Sequence, residues 1–163
     1  MNAAVRLGAT GFALIAVCYG LARFAFGLFL PYIRGDLSLS AVIAGFIAGG
    51  SFLGYCISIV ASAALTERIG ARWVAAGAGV VAAIGMALIA LANTPAILAA
   101  AVLFAGISTG LASPPLAAAV AQAVRLERQG IANTVINAGT SAGVALSGPI
   151  AILFGADWRL AYG

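Results

Sequence analysis

A single arginine stands in the middle of a long apolar run. Arg23 lies within Tyr19-Gly20-Leu21-Ala22-Arg23-Phe24-Ala25-Phe26-Gly27, about 15 Å of helix rise from the far end of that run at Ile33. Holding a guanidinium at such depth in hydrocarbon costs at least about 2.5–3.5 kcal/mol, which makes it a functional hypothesis by default. Its natural ligand is a carboxylate or another oxyanion held bidentately. Tyr19, one turn before it, and Gly27, after it, would give the same face a hydroxyl, a cation and open space. The competing reading is an arginine that snorkels outward or pairs with a backbone carbonyl.

Two further groups of polar residues interrupt apolar runs. Asn133, Asn137 and Thr140 are spaced four and three apart and share one helical face. Polar groups in hydrocarbon need partners, so that face serves as interhelical glue or as substrate contact. Ser108, Thr109 and Ser113 precede Pro114-Pro115, which predicts a bend whose freed carbonyls a neighbour or water must satisfy.

Other chemistry is missing from the sequence. There is no His, and the four acids, Asp36, Glu67, Glu127 and Asp157, fall between the apolar runs. No triad, metal-ligand cluster or phosphate-binding Gly-Lys-Ser loop can be assembled, so neither an enzyme nor a bound metal or cofactor is expected. Cys18 and Cys56 both lie inside apolar runs and read as small packing residues.

The elements that must position these residues are membrane spans. Hydrophobic residues make up 64% of the 163 and charged residues 7%, against about 25% charged in a soluble domain. Mean hydropathy is +1.15. The spans are expected at about 7–33, 40–65, 73–92, 95–124 and 130–154, forming one transmembrane domain over 1–163. Backbone groups in lipid must pair internally, so the spans should be helices of an all-α polytopic bundle.

Short polar connections force neighbouring spans to run antiparallel. With the N-terminus on the cytoplasmic side, Arg6, Arg68, Arg72, Arg125 and Arg128 fall on that side and only Arg34 and Arg159 on the other. That bias is the positive-inside pattern. The net charge of +4 is dispersed rather than gathered into a stripe, which excludes a nucleic-acid partner. Glycines four apart at Gly45/Gly49, Gly50/Gly54, Gly106/Gly110 and Gly139/Gly143 predict close helix–helix contact.

Three stretches resemble a known family. Ala63-Ala64-Leu65-Thr66-Glu67-Arg68-Ile69-Gly70-Ala71-Arg72 is similar to the loop signature G-x-L-A-D-R-x-G-R-R of the major facilitator superfamily. Leu65, Arg68, Gly70 and Arg72 match, while Ala63, Glu67 and Ala71 depart from it. Tyr19 to Pro31 resembles the first span of bacterial members with Gly-x-x-Arg-Phe followed by Pro. Gly139, Gly143, Gly148 and Pro149 resemble the glycine-rich, Gly-Pro-containing fifth span of many facilitators. Val144 and Ile152-Leu153 stand where the antiporter form of that span has glycines.

The resemblance implies an amino-terminal half of a facilitator, with five full spans and the start of a sixth at Trp158. The first, fourth and fifth spans would line a central cavity, where Arg23, Asn137 and the Pro114 bend would converge. Glu67, Arg68 and Arg72 would form a cytoplasmic charge lock that biases alternating access. The expected function is secondary transport of a small, possibly anionic, organic solute across a bacterial-type inner membrane. The alternative is a non-transporting assembly factor or channel subunit. The expected partners are the lipid bilayer, a small-molecule substrate and the missing carboxy-terminal half of the same protein. Facilitator-type folds nest three-helix repeats, so an equal second repeat would end roughly 23 residues beyond Gly163. A longer gene product is therefore the expectation, with a short oligomerising protein as its rival.

Overall fold

Residues 3–163 are described by a computed structural model. The first span is one continuous rod made of α1 (Ala3–Ile15), a π-helical stretch (Ala16–Phe24) and α2 (Ala25–Asp36). It is followed by α3 (Ala41–Ile69), α4 (Ala71–Ala90), α5 (Pro95–Ala123) and α6 (Leu126–Phe154), then a short α7 (Trp158–Tyr162). Five of these rods are long and apolar enough to cross a membrane, and the described residues contain no strand.

Local sequence sets the boundaries. Ser40 caps α3 by accepting from the Ile43 N–H at 3.2 Å, and Thr94 caps α5 by accepting from the Ile97 N–H at 3.3 Å. Pro95 follows at the first helical position, where its missing N–H costs nothing. Between α3 and α4 the chain reverses at Gly70 alone, with φ +89°, a conformation that a β-carbon disfavours.

The connections are shorter than the hydropathy suggests. Thr66, Glu67 and Arg68 belong to the last turn of α3, Asp36 ends α2, and Glu127 opens α6. Charged residues can extend a helix beyond the hydrocarbon, because water and headgroups solvate their side chains while the backbone stays paired. The boundaries expected at Leu65 and Gly130 are corrected accordingly to Ile69 and Leu126.

Small residues bring the rods together. The face of α3 made by Ser51, Gly54, Ser58 and Ser62 is buried against α5. A β-carbon at Gly106 would strike the Ser51 backbone, and one at Gly110 the Ser58 hydroxyl and the Tyr55 carbonyl. The first span runs parallel to α6, with Gly11 against Ile136, Phe12 against Gly139 and Gly20 against Gly143. Without a hydrophobic driving force in lipid, such close backbone approach is what packing must supply. Gly45, Gly49 and Gly148 have no neighbour within 4 Å of a β-carbon position, so the packing expected there does not form.

Helix α5 runs unbroken through Pro114 and Pro115, so the expected bend is not a break in the helix. Pro115 cannot donate to the Leu111 carbonyl. The Ser62 hydroxyl of α3 donates to that carbonyl at 3.1 Å instead. The larger apolar side chains gather in two clusters. One holds Phe26, Phe29, Ile33, Ile89, Leu98 and Trp158; the other holds Ile15, Cys18, Leu116, Val120 and Ile136.

Candidate solute site at Arg23

Arg23 is 7% exposed, at the C-terminal end of the π-helical stretch. A π segment carries i→i+5 hydrogen bonds, here visible in the Ala25 N–H donating to the Gly20 carbonyl. Such segments recur at functional sites, and this one holds both Tyr19 and Arg23.

Four aromatic rings surround the guanidinium. Its Cζ lies 4.1 Å from the ring centre of Phe52, 4.9 Å from Tyr55, 5.2 Å from Phe24 and 6.0 Å from Tyr19. The negative faces of aromatic rings attract a cation, more strongly when water is excluded. Nε is buried without a hydrogen-bond acceptor, and no acid pairs with Arg23 among the described residues. In place of the snorkelling or carbonyl pairing of the competing reading, the described residues give the guanidinium an aromatic cage.

The cage is assembled from three rods. Tyr19 and Phe24 come from the first span and Phe52 and Tyr55 from α3, while Ser113 of α5 exchanges a 2.7 Å hydrogen bond with the Tyr19 hydroxyl. Tyr19 packs edge-on to Tyr55 at 6.4 Å between centroids. Phe24 and Phe52 remain 40% and 54% exposed, so the cluster lies on an open face of the bundle. Gly27 adds no bulk beside it, with nothing within 4 Å of a β-carbon position.

Not every expected site residue joins this cluster. Asn137 is exposed, and its side-chain amide donates back to the Asn133 carbonyl of its own helix at 2.9 Å. Since Gly143 faces Gly20, Asn137 lies on the order of 13 Å of helix rise from the level of Arg23. Asn133 lies a further turn away. The Pro114 region does reach Arg23, through Ser113 and Tyr19. Phe52 and Tyr55 were missed in the sequence; their i, i+3 spacing on the second span is the signal that could have flagged them.

A sizeable cavity lies elsewhere. It holds about 760 Å³ between Leu7, Thr10, Gly70, Arg72, Leu116 and Gln122, at the end of the bundle that carries the Leu65–Arg72 motif. Its lining is mostly apolar, and it offers no buried polar group without a partner. The buried charge without an acidic partner among the described residues is at Arg23 instead.

Within the motif, Glu67, Arg68 and Arg72 are exposed and form no ion pair among the described residues, and Arg72 stands 5.6 Å from the Trp73 ring centre. An ion pair joins Asp36 to Arg159 at the opposite end. There Arg159 also donates to the Ala92 carbonyl at 3.0 Å.

Five apolar rods, glycine-mediated contacts and a caged charge define a polytopic helical membrane protein. The chain belongs to the Major Facilitator Superfamily, whose family model matches residues 12–163. That membership makes it a multi-pass protein of membrane transport, in a family of transporters rather than enzymes. A comparison with curated proteins gives no match.

Proposed function

We propose that this protein carries a small anionic organic solute across a bacterial-type inner membrane by alternating access, with Arg23 as the anion-binding group. The observation that carries the reading is the guanidinium itself: more than nine-tenths buried, without an acidic partner, and caged by rings. Cation–π contacts hold the charge in place yet leave N–H donors free, whereas a fixed carboxylate would already have used them. Tyr19, held by Ser113, adds a polar oxygen one turn away.

In this reading the bundle rocks as a unit against a second helical half, which the family resemblance implies is the carboxy-terminal half of the same protein. The solute site lies near the midplane between the two halves. The N-terminus is cytoplasmic, supported by five arginines on that side against two on the other. The exposed Glu67, Arg68 and Arg72 then face the cytoplasm, available to a partner surface that closes the inner gate.

Vesicle transport of a panel of small organic anions tests the proposal. Arg23→Ala should abolish uptake or efflux, and Arg23→Lys should retain a fraction of it, because an ammonium keeps the charge but not the bidentate fork. Unchanged transport in both variants would remove Arg23 from the mechanism.

A further inference from the structure

We propose that α5 is the template that sets the geometry of the Arg23 cage, with Gly106, Gly110 and Ser113 as its positioning residues. The three stand four and three residues apart, on one face of the helix. Each acts through a different aromatic partner of the guanidinium. The positioning does not depend on what is carried; its consequence for transport rests on the anion-carrier reading above.

Gly106 and Gly110 place the α3 side of the cage. A β-carbon at Gly106 would lie 2.7 Å from the Cα of Ser51, one residue before Phe52. One at Gly110 would lie 2.6 Å from the carbonyl oxygen of Tyr55 itself. The contact is reciprocal, since a β-carbon at Gly54, between the two rings in sequence, would strike the Leu103 carbonyl of α5. The two helices therefore meet backbone to backbone along the stretch that carries both rings. Further along, the Ser62 hydroxyl donates to the Leu111 carbonyl at 3.1 Å and continues the seam.

Non-bonded carbons settle about 3.5–4.0 Å apart, so a methyl group at either glycine would force α3 from α5 by roughly 1 Å. Phe52 and Tyr55 hold the guanidinium carbon from 4.1 Å and 4.9 Å. That attraction extends only to about 6 Å from a ring centre, so a displacement on this scale alters the cage.

Ser113 places the side of the cage that belongs to the first span. Its hydroxyl shares the 2.7 Å hydrogen bond with Tyr19, whose ring packs edge-on to Tyr55 and stands 6.0 Å from the guanidinium carbon. Pro114 and Pro115 follow at once, and their rings fix the local backbone. One face of α5 thus refers both rods of the site to a common frame, α3 by direct backbone contact and the first span by a hydrogen bond.

NMR of the protein labelled with ¹⁵N-arginine, in detergent micelles, tests the inference. Loss of a signal in Arg23→Lys identifies the Arg23 Nε–H, which the ring currents of the cage should displace from its position in a free arginine. Gly106→Ala and Gly110→Ala should each remove most of that displacement. Ser113→Ala should remove a smaller part, which Ser113→Thr restores. Should neither glycine variant fold, the two Ser113 variants decide alone.

Two controls separate positioning from a general loss of packing. Gly85→Ala makes the same kind of clash between α4 and α5, 2.7 Å from the Ala105 Cα, while Gly50→Ala adds only an ordinary contact with Leu103 at 3.8 Å. Both should leave the Arg23 signal in place. In vesicles offered acetate, benzoate or succinate, Gly110→Ala should raise the KM of a transported anion about tenfold with less change in the maximal rate, the mark of lost binding. Gly85→Ala should not.

An Arg23 signal that stays put in Gly106→Ala, Gly110→Ala and Ser113→Ala, or that moves as far in Gly85→Ala, overturns the template whatever is transported. A signal that moves as expected while transport survives Arg23→Ala keeps the template and removes the anion reading.

Discussion

Arg159 reaches across 123 residues of sequence to pair with Asp36, and its second nitrogen donates to the Ala92 carbonyl. One side chain thereby ties the end of the first span, the end of the third and the start of α7. The sequence places each of these arginines beside a local acid, Arg34 near Asp36 and Arg159 near Asp157, but the pairing that forms is long-range.

Both partners of this pair are about two-fifths exposed, so a double-mutant cycle of Asp36→Asn with Arg159→Gln should give a coupling below about 1 kcal/mol. Arg159→Gln alone should destabilise more than Asp36→Asn alone, because it also forfeits the bond to Ala92. Thermal unfolding in detergent measures all four corners of the cycle. A coupling well above that bound would mean the pair is shielded from solvent.

The contact of Gly20 with Gly143 leaves no room for a methyl group. A β-carbon at Gly143 would lie 2.8 Å from the Gly20 Cα. Gly143→Ala should therefore cost about 1–3 kcal/mol by overpacking, or separate the first span from α6. Gly45→Ala, where nothing lies within 4 Å, should be neutral or slightly stabilising. Equal melting temperatures for the two variants would contradict the packing described.

Ser62 and Pro115 form a compensating pair. Ser62→Ala should cost on the order of 0.6–1.7 kcal/mol, by removing the donor to the Leu111 carbonyl. Pro115→Ala restores an N–H that can reach the same carbonyl within α5. Ser62→Ala should thus be milder in the Pro115→Ala background than in the parent protein. Strict additivity in unfolding measurements would show that the Ser62 hydroxyl and the restored N–H do not substitute for each other.

At Gly70 the backbone has φ +89°, and Gly70→Ala should cost roughly 1–3 kcal/mol through strain at the turn. The neighbouring Ala71→Gly change should have a smaller effect, since Ala71 is already helical. Comparing the unfolding of the two variants separates backbone strain from general loop disturbance.

Reporter fusions check the orientation. Fusions at Arg68 and at Arg125 should both report a cytoplasmic position, and one at Ala92 the opposite side. Placement of the first two on opposite faces would overturn the five-span reading.

The spans were legible in the sequence because hydropathy over about 20 residues is a strong signal. Their ends were not. Thr66 to Arg68 look like a loop by composition, yet a charged helix end can project into headgroups without losing a backbone bond. Arg23 and Tyr19 were legible as an unusual pair, but their partners Phe52 and Tyr55 sit on another rod. One sequence carries no information on which face of the second span turns toward the first. Asn137 shows the converse: its one-face spacing with Asn133 is real, but the polar demand is met within its own helix.

The π-helical stretch at Ala16–Phe24 makes the alignment of the cage depend on residue number as well as residue type. An i→i+5 ladder fits more residues into each turn than an α-helix does, so it rotates everything downstream relative to everything upstream. Removing one alanine between Val17 and Arg23 would leave a span still apolar and long enough to insert. The guanidinium would then swing around the rod axis, away from the rings of Phe52 and Tyr55. If the proposed anion site is right, such a variant would be correctly threaded and would transport nothing.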